Sequence, residues 1–174
     1  MSRLRAALGE LFPADSFLSG ASLNEAGRKF SISAKPKDDV VGFRPEAVRA
    51  WPEDHRRCDA VFLCQSGGKG PFRLVLVELK GGDVRHALTQ LEQTHDFLCR
   101  KSGRLSPHSR NGKRGFQSAG LRHHPKIWGW IVARRSISLK QRERKALLGK
   151  GLHVRIQTGK AVQMTAAELT RRTQ

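Results

Sequence analysis

Three ionisable residues, Asp59, Glu78 and Lys80, carry the strongest chemical signal in the sequence because they lie at the ends of two apolar segments. The segments are Cys58–Cys64 and Phe72–Leu79, and the glycine-rich break between them predicts two antiparallel strands joined by a hairpin turn. A turn centred on this break places Asp59 opposite Glu78, with their Cβ atoms about 5 Å apart. Two carboxylates are therefore expected side by side at one end of the hairpin.

The second predicted strand is apolar on both of its faces. Because side chains alternate along a strand, Glu78 and Lys80 share a face with Leu74 and Leu76, and the opposite face is apolar as well. This pattern is typical of a central strand that is covered on two sides. Burying a charge there costs several kcal/mol unless a partner compensates it. A divalent cation is the simplest partner for two facing carboxylates, so the sequence predicts a metal site.

The order of these residues resembles the PD-(D/E)xK nuclease superfamily, in particular its RecB-type nucleases and Holliday-junction resolvases. Asp59 is followed after eighteen residues by Glu78-Leu79-Lys80, and a predicted amphipathic helix that carries Gln90 comes next, as in that group. The resemblance covers residues 55–100 and reaches the rest of the chain only through the order of elements. Two positions depart from the pattern: Cys58 replaces the name-giving proline, and Thr94 stands where tyrosine is common.

The resemblance implies a metal-dependent nuclease that hydrolyses phosphodiester bonds of nucleic acid, with DNA favoured over RNA. The implied fold is α/β, a three-layer α/β/α sandwich around a central mixed sheet, as in restriction endonucleases. Asp59 and Glu78 are the expected ligands of Mg²⁺ or Mn²⁺, together with the backbone carbonyl of Leu79. Lys80 is the expected catalytic lysine, which holds or deprotonates the attacking water or neutralises the phosphate.

Further site residues are open to two interpretations each. Members of the superfamily often place an extra acidic ligand on the first helix, and Glu10 and Glu25 are both candidates, although either also suits a solvated surface position. Glu25 in addition fits a helix capping box with Ser22. Gln90 is an expected catalytic residue that contacts a phosphate, a water or the ligand shell. Alternatively, its side chain satisfies a backbone group at the sheet edge.

The charge of the chain points to a polyanionic partner. Its 174 residues include 33 lysines and arginines against 15 aspartates and glutamates, a formal net charge of +18, which favours nucleic acid over a membrane surface. No apolar run is long enough to span a bilayer, and the first residues are charged too early for a signal peptide. Three cysteines without a CxxC pair favour reduced thiols and a cytoplasmic location.

Basic residues concentrate in a segment that contains no acidic residue, about residues 100–126. Its length and irregularity predict a flexible basic loop that orders when it binds a phosphate backbone. The loop is expected to belong to a single domain of residues 1–174. A predicted helix at residues 139–148 adds further positive charge. The expected nucleic-acid contacts are Arg100, Lys101, Arg104, Arg110, Lys113, Arg114, Arg122, Lys126, Lys140 and Arg144.

The remaining elements follow from local patterns in the sequence. We expect three helices. The first covers residues 2–12, the second begins after the N-cap Asp83, and the third covers residues 139–148 and is capped by Ser138. Alternating or apolar runs predict strands at residues 29–34, 127–133 and 152–157, the last at a sheet edge, and a short helix opens at Thr165.

The sequence is compatible with two functions. The first is the metal-dependent nuclease. The alternative is a non-cleaving nucleic-acid-binding protein that keeps the nuclease fold, and the presence of Asp59, Glu78 and Lys80 argues for the first. A homodimer and a larger protein assembly both stay open, since nothing in the sequence decides between them.

Overall fold

The computed structural model describes residues 3–9, 12–48, 51, 54–68, 72–80, 83–101, 127–135 and 138–170. Within these ranges the chain forms helices and strands in mixed order. The helices are Arg3–Gly9 (α1), Val84–Lys101 (α2), Gln141–Gly149 (α3) and Ala166–Thr170 (α4). The strands are Ser22–Glu25 (β1), Arg28–Ser33 (β2), Asp39–Phe43 (β3), Ala60–Gln65 (β4), Arg73–Lys80 (β5), Ile127–Ala133 (β6), Leu152–Thr158 (β7) and Ala161–Thr165 (β8). The chain is therefore mixed α/β, as predicted.

The larger sheet holds the motif residues at its centre. Its strand order is β3-β4-β5-β6-β7, antiparallel from β3 to β5 and parallel from β5 to β7. Every residue of β6 is buried, and in β5 only Lys80 is partly exposed, which matches their near-continuous apolar sequences. A parallel partner for β5 requires a crossover connection, and α2 lies in it. The predicted place of β6 beside the motif strand is confirmed.

The smaller sheet has the order β1-β2-β8 among the described residues. Strands β1 and β2 form a hairpin whose turn residues Ala26 and Gly27 have positive φ angles of 49° and 70°. Strand β8 pairs with β2 in parallel, although more than a hundred residues separate the two in sequence. The paired strands bring Leu23, Phe30 and Val162 together as buried apolar side chains.

Two hydrophobic clusters lie on the two faces of the larger sheet. One contains Leu74 and Leu76 of β5 together with residues of α1, α2 and α3. The other contains Val75, Val77 and Leu79 of β5 together with residues of the smaller sheet and of α4. In the described residues a small sheet and one short helix thus cover the face for which the sequence predicted a second helical layer.

Several local predictions are confirmed by the strand pairing and helix ends. Val77 faces Ala60 and Leu76 faces Val61, which is the register predicted for the hairpin. The side chain of Asp83 accepts a hydrogen bond from the backbone N–H of His86 at 2.9 Å, as expected of an N-cap. Strand β7 lies at the edge of its sheet, as predicted.

Other local predictions are wrong, and strands were missed. Residues 22–25 form strand β1 instead of a helix cap, because Ser22 pairs with Ser31 of β2. Helix α3 begins at Gln141 after the N-cap Lys140, whose N–H donates to Glu143 at 2.8 Å, so Ser138 is not the cap. Strands β3 and β8 were not predicted, since their sequences are short and partly polar.

The predicted basic loop falls almost entirely outside the described residues, because residues 102–126 are not among them. None of the described helices combines the length and the apolar character that crossing a bilayer requires.

Candidate active site

Asp59 and Glu78 lie next to each other at the open end of the β4–β5 hairpin, one position beyond the last paired residues Ala60 and Val77. The backbone N–H of Asp59 donates to Glu78 Oε2 at 3.2 Å. In return, the backbone N–H of Leu79 donates to Asp59 Oδ2 at 2.6 Å. Each carboxylate is therefore held by the backbone of the opposite strand, and the two acids are fixed side by side.

Lys80 completes the cluster from the next position on the same face of β5. Its Nζ lies 2.8 Å from Glu78 Oε1, and its side chain is 27% exposed whereas that of Glu78 is 0% exposed. This contact is a close ion pair between the lysine and a buried carboxylate. One ammonium group thus faces two carboxyl groups, so the cluster has a net negative charge when both acids are ionised. A divalent cation could offset that charge.

Burial and neighbouring charge shift the protonation of all three groups. Burial raises the pKa of Glu78 to about 7, and the nearby Asp59 carboxylate adds to the increase. Burial also raises the pKa of Asp59, although the Leu79 N–H opposes the shift. Burial lowers the pKa of Lys80, but the Glu78 and Asp59 carboxylates outweigh it, so the net pKa of Lys80 is raised. At neutral pH the lysine is thus an ammonium ion beside two poorly compensated carboxyl groups.

The donor set at this site suits a hard divalent cation. The described residues contain no group of three or more histidine, cysteine or acidic side chains that would hold a metal ion alone. Mg²⁺ does not need such a cage, since it is commonly bound by one or two carboxylates together with waters and substrate phosphates. The carboxylates of Asp59 and Glu78 and the Leu79 carbonyl offer oxygen ligands of this type.

Helix α2 holds the segment that leads into Asp59. Three polar side chains, spaced along one side of the helix, bind three consecutive residues of this segment through backbone groups. The contacts are Gln93 Oε1 with the N–H of Arg56 at 2.7 Å, Gln90 Nε2 with the carbonyl of Arg57 at 2.7 Å, and Thr94 Oγ1 with the N–H of Cys58 at 2.9 Å. We call these three side chains the α2 clamp. It ties the position of Asp59 to the helix.

Of the two interpretations of Gln90, the described structure shows the backbone contact. Its Nε2 binds the Arg57 carbonyl, and its buried Oε1 has no hydrogen-bond partner among the described residues. Sequence reasoning missed Gln93 and Thr94 as supports of the site. The signal available was their spacing, because residues three and four positions after Gln90 lie on the same side of a helix.

Of the two candidate acids, only Glu25 lies within the described residues. It ends β1, is exposed, and its carboxylate lies 3.8 Å from Arg44, which also contacts Glu46 at 3.3 Å. The charges of Glu25 and Glu46 both contribute to the raised pKa of Asp59, which places them in its surroundings. Glu46 was not predicted, since the segment after β3 had no clear pattern. Glu10 lies outside the described residues.

The predicted nucleic-acid contacts are described only in part. Lys140 is the N-cap of α3 and Arg144 is exposed on that helix. Arg100 and Lys101 lie in the last turn of α2, and their side chains are outside the description. The others, which also lie outside it, are Arg104, Arg110, Lys113, Arg114, Arg122 and Lys126.

Comparisons with protein-family models, with curated proteins and with solved structures gave no match to this chain. The features that bear on function are therefore those of this chain alone, namely the geometry of Asp59, Glu78 and Lys80 and the strongly positive charge.

Proposed function

We propose that the protein is a metal-dependent nuclease that hydrolyses phosphodiester bonds of nucleic acid, with DNA favoured over RNA. The observation that carries the proposal is the reciprocal pair, in which Asp59 and Glu78 each accept a hydrogen bond from the backbone of the opposite strand, with Lys80 2.8 Å from Glu78. A chain without use for this cluster gains little from burying it, because an apolar replacement of similar size is often as stable.

Asp59, Glu78 and the Leu79 carbonyl would hold Mg²⁺ or Mn²⁺. When bound, the ion lowers the pKa of a coordinated water and offsets negative charge on the phosphoryl oxygens. Lys80 supplies a fixed positive charge at the same place, where its Nζ stabilises a phosphate oxygen or orients the attacking water. Its raised pKa argues against a role as general base in the absence of the ion. Without metal the pKa of Glu78 is raised to about 7, so a cation that binds there competes with a proton, and metal binding should strengthen as pH rises.

The proposal includes membership of the PD-(D/E)xK superfamily and a restriction-endonuclease-like fold. Support comes from the order of elements around the site: the β4–β5 hairpin, then α2 with Gln90, then β6 parallel to β5. The three-stranded sheet over the second face is an addition to the implied three-layer sandwich. A cytoplasmic location is part of the same proposal and agrees with the cysteine usage.

The test is incubation of the full-length protein with labelled single-stranded, duplex and branched DNA and with matched RNA. Each substrate is incubated with Mg²⁺, with Mn²⁺ and with EDTA. We expect cleavage in the metal-containing samples and none in EDTA. Asp59→Ala, Glu78→Ala and Lys80→Ala should each lose cleavage while binding measured in EDTA is retained.

A matched control is Glu92→Gln, which removes a carboxylate of α2 whose ion-pair partner is Lys150. This variant should cut like the wild type. Cleavage that persists in all three site variants would refute the site assignment. Binding without cleavage of any substrate would favour the alternative, a nucleic-acid-binding protein that keeps the nuclease fold.

A further inference from the structure

A groove of about 590 Å³ runs between helix α3 and the edge strand β7. Its walls combine apolar side chains with Arg144 of α3 and with His153 and Arg155 of β7, and no acidic side chain lines it among the described residues. Leu148, the exposed large apolar residue of the described structure, lies at the groove as well. The groove is thus positively charged and partly apolar.

The guanidinium of Arg155 is held by two tryptophans. Its Cζ lies 5.1 Å from the centre of the Trp128 ring and 5.5 Å from that of the Trp130 ring. Stacking on aromatic rings fixes the plane of a guanidinium and leaves its N–H groups, which point along that plane, open to an acceptor. The contacts with two rings therefore restrict the positions that the Arg155 guanidinium can take.

Among the described residues the two arginines of the groove have no acidic partner. Within the described part of the chain, neither Arg144 nor Arg155 forms an ion pair with a carboxylate. Arginines that are not neutralised by a carboxylate suit a phosphate, which accepts paired hydrogen bonds from a guanidinium. We infer that this groove binds the phosphate backbone of a nucleic-acid strand, with Arg155 as its central contact and Arg144 as a second.

The groove lies at a distance from the acidic cluster. Arg155 pairs with Trp130, which pairs with Val77 on the face of β5 opposite to Glu78. Helix α3 packs on the face that carries Glu78, so the groove spans the β7 edge of the sheet. Lys80 pairs with Ala133, which pairs with Thr158, so Thr158 lies two strands away from Lys80. Arg155 lies three residues before Thr158 on β7, and the Cα atoms of Lys80 and Arg155 are therefore roughly 14 Å apart within the sheet. This inference rests on the proposed function, because it assigns the groove to the substrate, but its test does not need cleavage.

The test measures binding of fluorescein-labelled single-stranded and duplex DNA to the full-length protein in EDTA, by fluorescence anisotropy at several salt concentrations. Arg155→Ala should weaken binding about tenfold at low salt. It should also reduce the slope of log K against log salt by about 0.7 for a single strand or 0.9 for a duplex, the loss of one phosphate contact. Comparison of the two substrates shows which form the groove takes.

Three further variants test which property of the arginines matters and which residues take part. Arg155→Lys keeps the charge but not the planar guanidinium. It should therefore show most of the loss of affinity seen with Arg155→Ala. Arg144→Ala should weaken binding in the same direction. The matched control is Arg142→Ala, since Arg142 lies on the same helix and does not line the groove. It should leave both the affinity and the salt slope nearly unchanged.

Equal losses in Arg142→Ala and in the two groove variants would overturn the inference, because binding would then depend on overall charge. Unchanged DNA binding in Arg155→Ala would overturn it too. Failure of the proposed function gives a different pattern, in which binding that depends on Arg155 persists but no substrate is cut in Mg²⁺.

Discussion

Glu78 is the residue on which the proposed chemistry depends most. Its side chain has no exposed surface, it faces a second carboxylate, and Lys80 contacts only one of its oxygens. Burial and the proximity of Asp59 together raise its pKa to about 7. The ionised form is thus costly in the folded protein, and a bound cation would remove much of that cost.

The cost predicts a pH dependence of stability. Because the folded pKa of Glu78 lies above its ordinary value of 4.5, protonation favours the folded state, and this contribution is lost as pH rises towards 7. Glu78→Gln mimics the protonated form. Its free energy of unfolding, relative to that of the wild type, should therefore rise by about 2–3 kcal/mol between about pH 5 and about pH 8. Urea unfolding without metal measures this difference.

Glu92→Gln provides the control for this measurement, because Glu92 is partly exposed and pairs with Lys150. Its free energy of unfolding relative to wild type should stay nearly constant over the same pH range. A constant difference for Glu78→Gln as well would show that Glu78 does not carry the buried charge described here.

At the scale of elements, the site depends on the contact between helix α2 and the segment before β4. The α2 clamp uses side chains to satisfy backbone groups that no strand partner reaches. Thr94 is fully buried, and its hydroxyl accepts the hydrogen bond of the Cys58 N–H. The position of Asp59, directly after Cys58, is thereby linked to the packing of the helix.

Thr94→Val tests this link, since valine has nearly the shape of threonine but cannot accept a hydrogen bond. Leaving the buried Cys58 N–H without a partner should reduce the free energy of unfolding by about 1–3 kcal/mol. If Asp59 is displaced, half-maximal cleavage should also require more Mg²⁺. Urea unfolding and a metal titration of the cleavage rate measure the two effects.

Thr94→Ser is the matched variant, because it keeps the hydroxyl and loses one methyl group. Its metal requirement should be close to that of the wild type. If Val and Ser substitutions shift the metal requirement equally, the hydroxyl is not what positions Asp59.

The hairpin, its register and strand β6 were predictable because their signals are local. The glycine-rich turn determines which residues of β4 and β5 face each other, and the apolar run of Ile127–Ala133 is typical of a buried strand. A backbone contact of Gln90 was one of its two predicted roles, but the partners of Gln93 and Thr94 were not predicted. Thr94 and Cys58 are 36 residues apart in sequence and meet only through folding. The segment Ser22–Glu25 fits both a helix cap and a strand, and pairing with β2 decides between them.

At the scale of the whole molecule, the smaller sheet explains why the predicted architecture is only partly met. Strand β8 is short and pairs with β2 from the far end of the chain, so no local pattern announces it. The formal charge of +18 was evident from composition, but its arrangement was not. The structure places part of that charge beside α3 and β7, on tryptophans that the sequence suggested only as core residues.

The central claim is that Asp59, Glu78 and Lys80 cut nucleic acid with the help of a divalent cation. Single-turnover cleavage of bound DNA by the wild type and by Glu78→Gln, in Mg²⁺ and with binding measured in the same samples, tests it most directly. We predict that the variant binds DNA as the wild type does and that its cleavage rate falls by at least about a hundredfold, which corresponds to about 2.7 kcal/mol of lost transition-state stabilisation. Equal cleavage rates for the two proteins would contradict the account.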